Sequence, residues 1–212
     1  MAQRLVQKVQ SPALPIPTGG PLKPYLDALN NILRLFFNLL SSAVNSVVGE
    51  YGGRFIEFPN AKFFSTVDQT ASVINTAYAL QFENTYLGEA ISIVGTQITP
   101  LYSGVYNFEL SVELTSGSAS SKELSFWVRR SGVDIANTAR LHVVAGSGGV
   151  DNFEYSFTLD LTAGQYVELM WATDDTGITI DYQAAASPRP AVPSTLLTVV
   201  FVSAVPETLP TP

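Results

Sequence analysis

The sequence predicts a mainly β protein, a jelly-roll β-sandwich of about 8–10 antiparallel strands preceded by one α-helix and an extended arm. Three observations lead to this fold class. Residues 21–49 carry apolar residues at heptad spacing, and strict alternation of apolar and polar residues dominates the chain that follows. Glycine-containing turns interrupt the alternation at short intervals, as they do between the strands of a sandwich.

We divide the chain into four segments. Residues 1–20 are predicted as an extended docking arm, residues 21–49 as a helical stalk, residues 50–205 as the jelly-roll head and residues 206–212 as a C-terminal tail. The arm holds three prolines between positions 12 and 17, and proline fixes φ and lacks the N–H that a helix or a central strand needs.

The helix carries an apolar ladder with alternating spacings of 4 and 3 residues. We call this ladder the heptad seam; it consists of Leu22, Leu26, Leu29, Leu33, Phe36, Leu40, Ala43 and Val47. This spacing is typical of a helix that packs against copies of itself, so we predict these eight as oligomerisation residues. Tyr25, Ile32 and Leu39 widen the apolar face, and the Glu/Lys pairs of a soluble dimer are missing, which favours three or more helices.

Two alternatives for the helix stay open. It could pack on its own β domain, or it could be buried in a larger assembly, and a dimer or a hexamer would also use a heptad seam. A membrane span is not predicted, because Asn30, Asn31, Arg34 and Asn38 interrupt the apolar run.

The β region contains clear half-buried strands. Residues 106–115 and 152–161 alternate apolar and polar side chains, as strands with one solvent face do. Residues 196–202 are almost continuously apolar, which predicts a strand covered on both faces, either at a subunit contact or in the middle of the sandwich.

Composition limits the functions that are open to the chain. The 212 residues carry a net charge of −7, so general nucleic-acid binding is not expected. Only 14% of the residues are charged, which indicates a surface covered by partners or rich in Ser, Thr and Asn. Without cysteine the chain has neither disulfides nor thiolate chemistry. Residues 1–10 lack the apolar core of a signal peptide, so we expect synthesis in the host cytoplasm and, if the protein acts outside cells, delivery within a virion.

We predict no catalytic, cofactor-binding or metal-binding residues. His142 lies in an alternating stretch beside Arg140 and is read as structural or exposed. Asp174, Asp175 and Asp181 form the only acidic cluster, and Asp-Asp-Thr-Gly is common turn chemistry, with a cation site as the lesser alternative.

Two further features have structural interpretations. Residues 146–149 (Gly-Ser-Gly-Gly) lack the lysine and following helix of a phosphate loop and are predicted as a hairpin turn. Trp127 and Trp171 could stack on a sugar, but both fall within strand patterns, so core packing is predicted for each.

Four segments of the head resemble a known superfamily. They are residues 98–108 with Gly-Val-Tyr-Asn-Phe, residues 126–138, residues 161–169 and residues 193–202. As a set they are similar to the trimeric jelly-roll heads of the tumour-necrosis-factor and complement-globular-head type. The resemblance implies a homotrimer in which side chains of the inner strands meet on the threefold axis.

The residue patterns within and near these segments resemble those of bacteriophage structural proteins. The patterns are Trp-x-Arg-x-x-Gly-x-Asp from Trp127, Tyr-Val-Glu-Leu-x-Trp from Tyr166, and Asn75 to Tyr78 as a strand that opens the domain. Ser131 replaces the Asn usual in such turns, and Gln165 replaces a frequent Asp; both changes fall in turns.

The resemblance and the segment order together predict a non-enzymatic virion structural protein of a tailed phage (a head fibre, decoration or tail-associated protein). Its expected partners are two further copies of itself and, through residues 1–49, other virion proteins of the capsid, portal or tail. The alternative is a receptor-binding fibre module for host-surface glycans, with Tyr182 or Tyr86 as the exposed aromatic side chain. A glycan depolymerase is the third class, and it is disfavoured because no catalytic set is found.

Overall fold

The computed structural model describes residues 22–48 and 58–204. Compactness divides the chain between residues 57 and 58 into two units. The predicted arm at residues 1–20 and tail at residues 206–212 lie outside the described residues.

The first unit contains one long helix. Helix α1 spans Leu22–Val48, within a residue of the predicted bounds. Pro24 lies in its first turn, where the missing N–H has no intrahelical partner to lose. Only Lys23, Asp27 and Arg34 are charged within these 27 residues, so most of the helix surface is apolar or neutral.

The second unit is built from antiparallel strands. Among the described residues these are β1 (Asn60–Ser65), β2 (Gln69–Thr70), β3 (Tyr78–Ala79), β4 (Asn84–Glu89), β5 (Ile91–Val94), β6 (Gln97–Pro100), β7 (Gly104–Ser116), β8 (Lys122–Arg130), β9 (Val133–Asp134), β10 (Arg140–Val144), β11 (Val150–Leu161), β12 (Val167–Thr173), β13 (Ile178–Ile180) and β14 (Thr195–Ser203).

Eight of these strands define the topology. Taken in chain order, β1, β6, β7, β8, β10, β11, β12 and β14 pair from the outside inward: first with last, second with seventh, third with sixth and fourth with fifth. Folding this long hairpin over places β1-β14-β7-β11 in one sheet (sheet A) and β6-β12-β8-β10 in the other (sheet B). This order is the jelly roll, so the predicted fold class is confirmed.

Alternation along the strands forms the core between the two sheets. In β7 every second residue from Gly104 to Ser116 is buried, and the residues between them face outward, as the sequence pattern predicts. Aromatic rings fill much of the interior: Phe126 of sheet B stacks on Phe153 of sheet A with ring centroids 4.2 Å apart. Phe108 stacks on Phe157 at 4.9 Å within sheet A. Burying such large rings supplies much of the drive for folding.

Two local predictions are wrong. Residues 75–78 do not form the strand that opens the domain, because Asn75 has a positive φ of 53° and lies in a turn; β1 opens it instead. Residues 146–149 do not close a hairpin, because β10 pairs with β8 and β11 with β7, so this segment carries the chain from sheet B to sheet A. Ser147 and Gly148 donate backbone N–H groups to the carbonyls of Ser118 and Ser116, which fixes the crossing.

Candidate assembly interface

The heptad seam is only partly covered within the single chain. Leu22, Leu26 and Leu40 are exposed, Leu22 by 67% of its surface. Leu29, Leu33, Phe36 and Ala43 are half-buried, while the side chain of Val47 lies outside the described part of the chain. The seam therefore presents apolar surface from Leu22 to Ala43.

Apolar side chains extend beyond the seam. Leu35, Phe37, Leu39 and Val44 are all exposed, with Leu35 at 61%. A helix that meets a single partner helix needs a narrow apolar stripe, whereas the stripe grows wider as more helices surround it. The width of this face is therefore typical of a helix packed against several neighbours.

A second apolar surface lies on the outer face of sheet A. Val200 on β14 is 42% exposed and stands between Asn60 of β1 and Asn107 of β7. We call the exposed side chains here the entry patch: Phe58, Leu87, Val200 and Val202. The Phe201 N–H donates to the Pro59 carbonyl at 2.9 Å, which ties the end of β14 to the start of β1.

The entry patch bears on the prediction that residues 196–202 are covered on both faces. β14 is indeed central in sheet A, between β1 and β7, and its inner residues Leu197 and Val199 are buried. Its outer face is not covered by any described residue of the same chain, since Val200 and Val202 are exposed.

The other half of the same face is polar. The outward side chains of β7 and β11 include Asn107, Glu113 and Asn152, and hydrogen bonds join the two strands on this face. Asn152 Nδ2 donates to Glu113 Oε1 at 2.7 Å. Thr158 Oγ1 likewise donates to Asn107 Oδ1 at 3.4 Å. Sheet A thus carries exposed apolar side chains on β4 and β14, interspersed with Asn60, Lys62 and Thr198, beside a mainly polar half on β7 and β11.

The predicted acidic cluster does not gather into one site. Asp174 Oδ1 accepts the Glu123 backbone N–H at 3.0 Å. Asp175 Oδ1 accepts from Ser118 Oγ and from the Gly177 N–H, both at 2.7 Å. These bonds, followed by one from Lys122, lower the pKa of Asp175 to about 2.

Asp181 has different neighbours. Burial first, and then the negative charge of Asp68, raise the pKa of the Asp181 carboxyl. In the described residues no three His, Cys, Asp or Glu side chains converge as metal ligands would.

His142 is held by a contact with the carboxylate of Asp151. Its Nε2 lies 3.0 Å from Asp151 Oδ2, and its ring stands 5.4 Å from the ring of Phe153. The imidazole therefore links β10 to β11 across the rim of the sandwich. This geometry is consistent with the structural interpretation.

The two tryptophans differ. Trp171 is 1% exposed and packs in the core, as predicted. Core packing was also predicted for Trp127, and this prediction is wrong: Trp127 is half-buried on the outer face of sheet B. Its neighbours Phe126 and Val128 are buried, and successive side chains of a strand point to opposite faces of the sheet. A hydrogen bond from Trp127, after the stronger one from Arg129, holds the pKa of Asp134 below its ordinary value.

The candidate aromatic residues Tyr86 and Tyr182 lie in different settings. Tyr86 is 77% exposed on β4, with Lys62 Nζ 5.7 Å from its ring centroid. Tyr182 follows β13, is half-buried, and donates its backbone N–H to Asp68 Oδ1 at 2.8 Å. Neither is at the tip of a long loop.

Sequence reasoning missed the entry patch as a unit. Leu87 is an isolated apolar residue in the sequence, and the register places it opposite Lys62, which in turn pairs with Thr198, two residues before Val200. Phe58 lies two residues before Asn60, which pairs with Val200. The continuous apolar run at residues 196–202 was the one available signal.

The likeness to known proteins is confined to solved structures. No protein-family model matches the chain, and no curated protein matches it. Among solved structures, the chain is similar to the crystal structure of murine APRIL at pH 8.5, with a TM-score of 0.45 and 10% identity, over 68% of this chain and 100% of that chain. The jelly-roll assignment rests on the strand pairing described above. In the described parts of the chain, no helix has the length and hydropathy needed to cross a membrane.

Proposed function

We propose that this chain is a non-enzymatic structural protein of a tailed-phage virion. It acts as a homotrimer that docks on the capsid, portal or tail through residues 1–49 and displays its jelly-roll head. The observation that carries the proposal is the pair of uncovered apolar surfaces, one on α1 and one on sheet A. Either surface would cost free energy if it faced water.

The helix supports self-association in particular. Isolated helices gain most of their stability from packing an apolar face, and α1 has too few charged residues to be solvated on its own. Identical heptad seams are complementary to one another by symmetry. A trimeric bundle would cover the seam and part of the wider face, and a socket on the particle would cover the remainder.

The head supports the same symmetry. The entry patch lies where β1 begins and β14 ends, and in a homotrimer three copies of the patch would pack against one another. The polar half of sheet A would then stay hydrated. Three linked arms raise the effective concentration of each docking contact, which lengthens residence on the particle without tight single contacts.

The virion context rests on sequence features. The resemblance to phage structural proteins covers about residues 55–204, and the low charge fits a surface shared with partners. The absence of cysteine suits assembly in a reducing cytoplasm.

Particle assembly tests the proposal. Phage particles assembled with the full chain should retain it through density-gradient purification, whereas a chain lacking residues 1–49 should remain as soluble heads. Leu29→Asp together with Leu33→Asp should reproduce the loss, because both carboxylates would fall in the heptad seam. The matched control is Asn31→Asp with Asn38→Asp, which adds the same charge on exposed polar positions. Normal incorporation of the truncated chain would contradict the proposal.

A further inference from the structure

We propose that a groove along one rim of the jelly roll binds a neutral oligosaccharide. Two adjoining depressions, of about 430 Å³ and about 500 Å³, share Gln81 and Thr96 as common walls. Together they run from the segment around β2 and β3 to the turn between β5 and β6. A linear groove of this size fits a chain of several sugar rings better than a compact ligand.

The groove has a partly apolar floor, in which the half-buried Tyr78 and Ile93 are the accessible side chains, while Trp171 and Phe82 are 1% and 3% exposed. Trp171 is buried beneath the first depression, with the ring of Tyr78 5.7 Å away. Phe82 and Ile93 line the second depression. Sugar rings have apolar C–H faces edged by hydroxyls, so an apolar floor beside a polar rim matches both parts of such a ligand.

The polar walls are rigid before any ligand arrives. Gln69 is 8% exposed, and its amide bonds to the Gln81 backbone in both directions, at 2.9 Å and 3.2 Å. Thr96 Oγ1 donates to Glu168 Oε1 at 2.6 Å. A preformed wall avoids an ordering cost on binding.

Exposed polar groups on the rim supply the recognition chemistry. The side chains of Thr70 and Gln81 are exposed at the groove. Asp68 is exposed in the lining of the first depression, and its Oδ1 accepts the Tyr182 N–H at 2.8 Å. A carboxylate accepts hydrogen bonds, and an amide both donates and accepts, so these groups suit neighbouring sugar hydroxyls.

Charge selects among glycans. The lining contains the carboxylates of Asp68 and Glu83, and none of the lining residues is Lys, Arg or His. Sialylated, phosphorylated or uronate-rich chains would be repelled. The amide and hydroxyl groups of the lining outnumber its two carboxylates, which favours an uncharged ligand.

Saturation-transfer NMR with the full-length protein tests this site. The probes are maltohexaose, cellohexaose, chitohexaose and mannohexaose, with a hyaluronan hexasaccharide as the anionic probe and a chitosan hexamer as the cationic probe. We expect transfer to at least one neutral probe. No transfer to any neutral probe, or stronger transfer to a charged one, would overturn the proposal.

Two variants locate the binding. Gln81→Arg should lower the affinity for the neutral probe by about tenfold or more, because the longer side chain fills the junction of the two depressions. The hydrogen bonds of the residue 81 backbone to Gln69 are kept. Asp68→Asn keeps an oxygen for the Tyr182 N–H and removes the charge, and it should weaken binding by about tenfold. The matched control is Thr158→Arg, on the exposed face of β11. Unchanged binding in both groove variants would also overturn the proposal, and it would leave the oligomeric state and particle docking untouched.

Discussion

At the residue scale, the Asp175 carboxylate organises the turn between β12 and β13. Its three donors come from Ser118, Gly177 and Lys122, with Lys122 Nζ 3.0 Å from Oδ2. Together they connect this turn to the β7–β8 loop. These contacts give the residue a positioning role in the fold.

The pKa of Asp175 makes stability depend on pH. Since the folded pKa of about 2 lies below the ordinary value of 3.8, the contribution of this carboxylate is fully present above about pH 4 and is lost as the pH falls towards 2. Asp175→Asn removes the titration, so its Tm deficit relative to the native chain should shrink through that window. Calorimetry between pH 2 and pH 6 checks this.

The control for this titration is Asp160→Asn. Asp160 forms an exposed pair with Arg130 at 3.5 Å, and its side chain is 75% exposed, so its loss should change stability by less than about 1 kcal/mol. A constant Tm deficit of Asp175→Asn across the whole pH range would disprove the assigned role.

Ser131 offers a second residue-scale prediction. Ser131 and Gly132 have φ values of 48° and 82° in the two-residue turn between β8 and β9, as a type I′ turn requires. Asn tolerates this conformation better than Ser, so Ser131→Asn should raise the free energy of unfolding by up to about 1 kcal/mol. Urea denaturation measures it.

The control at this turn is Ser131→Val. Valine is strained at positive φ, so this substitution should lower the free energy of unfolding. Equal stabilities for the Asn and Val variants would show that the turn geometry does not limit stability.

At the element scale, α1 shows what a repeating pattern can predict. Seven-residue periodicity and Pro24 fixed the helix to within a residue at its start, because both signals are local. The strands β7, β11 and β14 were also predicted correctly, the first two from alternation and the third from its apolar run. The crossing at residues 146–149 was not, because a turn sequence does not encode which sheet the next strand joins.

The helix prediction can be tested through its dependence on partners. Leu33→Asp puts a charge in the heptad seam and should prevent association of the helices. Because an isolated helix is marginal in water, the helical circular dichroism signal of these 27 residues should then largely disappear. Asn38→Asp, on the polar side, should keep the helical signal. Full helicity in the Leu33→Asp protein would mean that α1 does not need self-association.

At the scale of the whole molecule, the pairing of strands determines the jelly-roll topology. The sequence predicted the fold class but not which strands pair. Pairing between β1 and β14 joins residues 130 to 140 positions apart, and no local pattern specifies it. The candidate site was predicted in part: the heptad seam follows from periodicity, whereas the entry patch and the groove arise only after strands distant in sequence are brought together.

The entry patch yields a prediction about assembly. Val200 faces outward on β14, so Val200→Glu should leave the fold of one chain intact and disrupt association of the heads by placing three carboxylates near the axis. We expect a lower solution mass and an unchanged near-ultraviolet circular dichroism spectrum. Ser156→Glu, on the polar half of sheet A, is the control and should keep the native mass.

The solution mass of the full-length protein, measured by light scattering after size-exclusion chromatography, tests the central claim most directly. A homotrimer predicts three times the 22.8 kDa of the single chain. A mass of 22.8 kDa at micromolar concentration would contradict the trimer and leave the heptad seam as a face for a different partner.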